Sequence, residues 1–187
     1  MADPDDILLS ADERMDSAVQ ALKRELNGVR TGRAHPSLIE TLPVDYYGAT
    51  TPLKQLGTIN APESRLLTIQ VWDRSALKAI EKAIQASDLG LNPAIDGQLI
   101  RLPIPALTEQ RRRDLVKLVH NKTEEARVAV RNVRRHSHDE LRKLEKDGHI
   151  SQDDIKRHED ELQKMTDQHI ATIDAEGKKK EAELLEV

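Results

Sequence analysis

A chain of 187 residues at net charge −4 has room for one or two small domains, at least one with a substantial core. It contains no cysteine, which excludes disulfides and thiolate metal sites and sets the expectation of a reducing, cytoplasmic environment. The acidic start MADPDDILLS does not read as a signal peptide, and no stretch nears the ~18 apolar residues of a membrane span, so no membrane contact is expected.

The modest net charge conceals a segregation. Residues 1–29 carry 3 basic and 7 acidic side chains, and residues 30–100 carry 7 of each. Residues 101–146 carry 13 basic and 7 acidic, whereas residues 147–187 carry 6 basic and 12 acidic. One basic segment between neutral and acidic ones implies a directed contact through one face rather than diffuse affinity for polyanions.

From about Asp6 to Val29, the residues Leu8, Ala11, Met15, Ala18, Leu22, Leu26 and Val29 step by three and four, which predicts an amphipathic helix with a heptad-like seam. Its amino end is favoured by Ser10 or the early Asp cluster. The helix weakens near Gly28, and the run GVRTGRAHP, with two glycines and a proline, reads as the exit from the first domain. Arg30 and Arg33 stand at this exit, where they could cap helix carbonyls, extend a basic surface, or tie the linker to the helices.

Residues 37–102 change texture. The β-rich runs SLIETLPVDYY, TIN and RLLTIQVW are separated by YGATTP and NAPES, which have turn compositions. Alternation in LLTIQVW puts Leu67, Ile69 and Val71 on one face. A helix is expected over Ser75–Ser87, capped by Asp73 or Ser75 and burying Leu77, Ile80, Ala83 and Ile84. DLGLNPAIDG reads as loop and QLIRLPIP as a last strand, broken by Pro103 and Pro105.

A long helix opens at Thr108, with the seam Leu115, Val119, Lys122, Ala126, Val130, Val133, Ser137, Leu141 and Leu144. At 1.5 Å per residue it spans about 55 to 60 Å, the length of a bundle or coiled-coil helix. KDGHIS is a tight turn with Ser151 as N-cap and Asp154 at the third position. A third helix runs from Gln152 towards Leu184 through Ile155, Leu162, Met165, His169, Ile173 and Lys180. The expected fold class is therefore α+β, an antiparallel three-helix bundle with an inserted small β/α/β domain. The bundle takes residues 1–30 and 106–187, the inserted domain residues 31–105, with hinge segments at 30–36 and 102–106.

The functional signal lies in EARVAVRNVRR, residues 125–135. On a helical wheel Arg127, Arg131 and Arg134 fall within about 60° of one another, joined by His138, while Ala126, Val130, Val133 and Leu144 form a stripe about 110° away. Acidic neighbours, Glu124, Glu125, Asp139 and Glu140, stand only at the ends of the row. A row of unpaired guanidiniums on a rigid helix suits a phosphate backbone, and a solvated helix face is the alternative. The aromatics Tyr46, Tyr47 and Trp72 all lie elsewhere, so any nucleic acid is read through phosphates and shape rather than stacked bases. His136 and His138 point to different faces, no HExxH motif occurs, and no nucleophile elbow or phosphate-cradling loop is present. Neither an enzyme nor a metal or cofactor site is expected.

RTGRAHPSL, DYYG, EKAIQASDLGLNP, LTEQRRRDLVK and VAVRNVRR, in that order, resemble blocks of the ribosome recycling factor family, and the resemblance runs over essentially the whole chain. It implies an L-shaped molecule of about tRNA size, with the small domain on a flexible elbow. It also implies a factor that enters the A site after termination, works with elongation factor G and GTP, and splits the subunits so that mRNA and deacylated tRNA leave. GTP hydrolysis would belong to elongation factor G. The family's 23S rRNA contacts in the large subunit fall here on Arg131, Arg134 and Arg135, and on Arg30 and Arg33; the charge row adds Arg127. Gly32, Pro36, Pro103 and Pro105 are the expected hinge residues. His35 and His136 depart from the family pattern. Because the seams can be satisfied within one chain, a monomer is expected. The reading from a different class is a coiled-coil scaffold that binds a protein partner through its helical face.

Overall fold

The structure, a computed structural model, describes residues 3–186. It divides into two units: one takes both ends of the chain, up to Thr31 and from Glu109, and the other is Gly32–Thr108.

The first unit is three helices, α1 (Pro4–Asn27), α3 (Glu109–Lys146) and α4 (Gln152–Leu185), each packed on the other two. Helix α1 starts two residues before the expected point because the Asp3 carboxylate accepts from Asp5 N–H at 3.1 Å and Pro4 fits the first turn. Its buried residues are Ile7, Leu8, Ala11, Met15, Val19, Leu22 and Leu26. Val19 takes the place expected of Ala18, which is half-buried, and Val29 lies beyond the helix end. Helix α3 turns into α4 through Gly148, and Ser151 Oγ accepts from Asp154 N–H at 3.2 Å, as expected of an N-cap.

Two seam assignments on these helices shift by one residue. Thr123 is buried in α3 where Lys122 was expected, and Thr166 is buried in α4 where Met165 was expected. The Lys122 ammonium instead reaches Glu25 of α1 at 3.2 Å and Glu125 at 3.5 Å. Those carboxylates, Glu25 first, hold it more firmly protonated than an ordinary lysine. Thr123 and Thr166 satisfy their hydroxyls on the carbonyls of Val119 and Leu162, at 2.6 and 2.7 Å. Inter-helix pairs fix the directions. Asp12 meets His169 at 2.7 Å and Lys23 meets Glu176 at 3.7 Å, so α1 and α4 run together. His120 meets Glu181 at 3.2 Å and Arg142 meets Glu159 at 2.6 Å, so α3 runs against α4.

The second unit holds a two-stranded hairpin, β1 (Pro43–Tyr46) with β2 (Ala49–Pro52), and a four-stranded antiparallel sheet in the order β3-β4-β6-β5. Its strands are β3 (Gly57–Glu63), β4 (Leu66–Val71), β5 (Ala94–Asp96) and β6 (Leu99–Pro103). Helix α2 (Leu77–Ala86) supplies Leu77, Ile80 and Ile84 to a core shared with Leu67, Ile69 and Val71 of β4, on the face that alternation predicts. Ala83 is half-buried beside them. Asp73 caps a one-turn 3-10 helix, Arg74–Ala76, that leads into α2. Three details differ from the sequence expectation. SLIETL is not a strand, because Pro36 opens a one-turn 3-10 helix capped by the His35 ring. β3 runs on through NAPE with a register irregularity before Glu63, as an edge strand tolerates a proline. β5 falls in the stretch expected to be loop, and all three of its residues are exposed.

The Tyr46 hydroxyl donates to Asp73 Oδ2 at 2.6 Å and so ties the hairpin to the start of α2. That bond, with desolvation and the charge of Asp73, pushes the phenol up to about 12, and it holds the Asp73 carboxyl below its usual value. A phenol raised in the folded state stabilises fully below the unfolded value near pH 10 and loses that contribution as pH rises through about 12. Thermal unfolding of wild type and Tyr46→Phe is therefore expected to differ below pH 10, with the difference closing between about pH 10 and 12.

Helices α3 and α4 approach closely where Gly177 meets Thr123: a Cβ at Gly177 would lie 2.8 Å from Thr123 Oγ1. Thr123 cannot move aside, because it is β-branched and bonded to the Val119 carbonyl. Gly177→Ala is expected to destabilise by about 1–3 kcal/mol despite the better helix propensity of alanine. In a Thr123→Ala background the same substitution is expected to be neutral or stabilising, and urea unfolding of the four proteins checks both.

Candidate nucleic-acid interface

The basic segment forms the outer flank of α3. Its seam residues Ala126, Val130, Val133 and Leu144 are buried, and this anchors the arginine face beside them.

Four positions on that face behave differently. Arg127 is largely withdrawn, with its side chain 28% exposed. Its Nε and Nη2 both point at Asp174 Oδ1 of α4, Nη2 at 2.7 Å, and its Nη1 donates to Glu124 Oε2 at 2.7 Å. Glu124 and then Asp174 push its basicity up further, and Arg127 in turn holds the Glu124 carboxyl below its usual value. Arg131 leans on the other oxygen of Glu124, at a longer 3.4 Å, and stays half exposed. Arg134 is half-buried and Arg135 exposed; neither makes a hydrogen bond or ion pair among the described residues.

The expectation of an unpaired row is thus corrected at Arg127 and, more weakly, at Arg131. The cause for Arg127 is Asp174, 47 residues away in sequence and brought alongside by antiparallel packing. Glu124 was visible as a neighbour, but its division between two guanidiniums was not. His138 also leaves the row, with Nε2 3.1 Å from Glu159 of α4. Glu159 and Asp174 are functional neighbours that sequence reasoning missed; their heptad offset from the α4 seam was the available signal.

The remaining expected residues sit at the junctions between the units. Arg30 is half-buried and Arg33 exposed, one on each side of the Thr31/Gly32 boundary, and each has an interaction partner. Gly32 adopts φ +79, and a Cβ there would press on Leu107 Cγ at 3.2 Å, so the chain enters and leaves the second unit side by side. Pro36 lies in the one-turn helix. Pro103 is the last residue of β6, in register with Leu66, and Ile104 N–H just beyond it bonds the Arg65 carbonyl at 2.8 Å; Pro105 follows and is exposed.

Among the described residues, no three His, Asp or Glu side chains are grouped to hold a metal ion, and no helix is long and apolar enough to cross a membrane.

The family model described as ribosome recycling factor matches residues 22–185. The chain belongs to the ribosome recycling factor family. It is therefore similar to translation factors that serve ribosome recycling in protein biosynthesis and are not enzymes by themselves. The ribosome-recycling factor of Geobacillus sp. (strain WCH70) is 58% identical over 181 residues, covering 97% of this chain and 98% of the relative. That of Methylobacterium nodulans is 54% identical over 187 residues, covering 100% of each. Among solved structures, a solution structure of the ribosome recycling factor aligns with TM-score 0.78 and 47% identity, covering 100% of each chain. Models of the T. thermophilus ribosome recycling factor and the E. coli elongation factor G bound to the E. coli post-termination complex align with TM-score 0.65. There the identity is 48%, over 99% of this chain and 100% of that one. The α+β fold of helices and a small antiparallel sheet agrees with these ribosome recycling factor structures.

Replacing Asp174 by Asn keeps the shape of the α3–α4 contact and removes the charge that holds Arg127. The variant is expected to lose about 1 kcal/mol, the upper range for a solvent-screened pair, measured by urea unfolding at low salt and shrinking at high salt.

Proposed function

We propose that this chain, acting with elongation factor G and GTP, splits post-termination ribosomes into subunits and so releases them from mRNA, and that the arginine face of α3 docks on phosphates of 23S rRNA. The observation that carries the reading is the state of Arg134 and Arg135. They project from the middle of a 38-residue helix, in the one basic segment of an acidic chain, with no internal partner among the described residues. Guanidiniums with no internal partner, carried on a rigid backbone, bind phosphate oxygens without first breaking an internal ion pair. The presence of a ribosome recycling factor beside elongation factor G on a post-termination complex supports the same partners here.

The roles divide by geometry. Arg134 and Arg135 are phosphate ligands. Arg131 joins them when it lets go of Glu124, so its contribution is smaller. Arg127 is the brace that fixes the helix beneath them. Arg30 and Arg33 supply further phosphate contacts. GTP is bound and hydrolysed by elongation factor G, and no cofactor belongs to this chain. The chain works as a monomer in the cytoplasm. The two units form the proposed domains, bundle and inserted, and the segments Gly32–Pro36 and Pro103–Pro105 form the proposed elbow, with Pro36 in a one-turn helix and Pro103 in a strand.

Binding to purified large ribosomal subunits tests the reading. Arg134→Ala is expected to weaken binding by about 1–3 kcal/mol, as for a charge-assisted hydrogen bond, and Arg131→Ala by less than about 1 kcal/mol, since its internal pair with Glu124 already competes with phosphate. Splitting of post-termination ribosomes by elongation factor G and GTP should fall in the same order. Equal losses at both positions, or none at Arg134, would contradict the assignment.

A further inference from the structure

The ion pairs His120–Glu181, Arg127–Asp174 and Arg142–Glu159 join α3 to α4 in one antiparallel register. His120 meets Glu181, and seven residues further along α3 Arg127 meets Asp174, seven residues back along α4. Further on, Arg142 and His138 converge on Glu159. Such pairs beside an apolar seam are what a heptad repeat produces in antiparallel helices. The same register sets Arg134, seven residues after Arg127, opposite Asp167, seven before Asp174. A rung is due there, and it is absent: Arg134 makes no ion pair among the described residues. Asp167 is turned along its own helix, where its Oδ1 accepts a hydrogen bond from Gln163 Nε2 at 2.8 Å.

The other carboxylates near Arg134 and Arg135 lie beside other groups. Asp139 stands 3.7 Å from the His138 ring, Glu140 stands 3.8 Å from His136, and Glu159 holds Arg142. Arg134 has no carboxylate within four residues on its own helix, so Asp167 is its one register partner. An exposed Gln–Asp bond at this helical spacing and an exposed Arg–Asp pair have similar strengths, so the choice between them is a close competition that one side chain can decide.

We propose that Gln163 is a positioning residue: by holding Asp167 along α4 it stops the missing rung from closing and keeps Arg134 free for rRNA phosphate. This rests on the reading of Arg134 given above. Without Gln163, Asp167 swings to Arg134, and the phosphate must compete with an internal carboxylate.

The test is a set of substitutions read by affinity for large ribosomal subunits at low salt. Gln163→Ala is expected to weaken binding two- to fivefold. Asp167→Asn is expected to bind at least as tightly as wild type, and Gln163→Ala combined with Asp167→Asn to recover that affinity. In an Arg134→Ala background, Gln163→Ala is expected to have no further effect. A merely structural role for Gln163 predicts the opposite pattern, a loss that persists in both backgrounds and tracks the melting temperature. Wild-type affinity in Gln163→Ala, or a loss that Asp167→Asn does not reverse, overturns the proposal. If Arg134→Ala itself binds as wild type, the assignment of Arg134 to rRNA fails first, and the role of Gln163 with it.

Discussion

Arg127 is held from two sides, by Glu124 one turn back on its own helix and by Asp174 on the antiparallel neighbour. This charge-assisted clamp sits beside the apolar seam, with the Thr123–Gly177 contact as its floor. With the buried seam, it favours one roll of α3 about its axis, and so one direction for the arginines that follow. Burial of Ala126, Val130 and Val133 sets which side of α3 faces inward, and the guanidinium fork, whose donors lie in fixed directions, adds directional bonds at the edge of that seam. The cost is that one cation is removed from the basic face, and in exchange Glu124 and Asp174 are held by a single guanidinium that offsets part of their charge.

That trade explains how an acidic chain can present a cationic surface. Carboxylates on α3 and α4 that would otherwise fold back on the arginines are engaged by Arg127, by Arg142 and by histidine rings. What remains is a short row, Arg134 and Arg135 with Arg131 in reserve, on a helix whose backbone is rigid. The inserted domain is built on a separate principle, a sheet covered by α2 with the hairpin tied down through Tyr46 and Asp73. Each unit closes its own core, so neither depends on the other for burial.

The parts of this arrangement that follow from periodicity were legible in the chain. Met15, Val130, Ile173 and their fellow seam residues are buried because a 3.6-residue repeat admits only one apolar face, and Leu67, Ile69 and Val71 because a strand alternates. Where two neighbours competed for the seam, as at Lys122 and Thr123, the pattern was ambiguous: the helix period drifts against a strict heptad, and the charged residue found partners outside. β5 was hidden because an exposed three-residue edge strand carries no alternation, and the start of the inserted domain because Pro36 with His35 makes a turn from residues that look β-forming. The arginine row was legible as charge and illegible as pairing. Asp174 is remote in sequence, and nothing local to VAVRNVRR announces it.

The central claim is that a few guanidiniums on α3 bind phosphate, and the salt dependence of large-subunit binding tests it most directly. Affinity of the wild type should fall along a straight line in log salt, and replacing Arg131, Arg134 and Arg135 together by alanine should flatten the slope by about 2 to 3, roughly one for each phosphate no longer neutralised. A variant that binds more weakly with an unchanged slope, or a wild type whose binding ignores salt, would contradict the account and point to an apolar helix–helix contact with a protein.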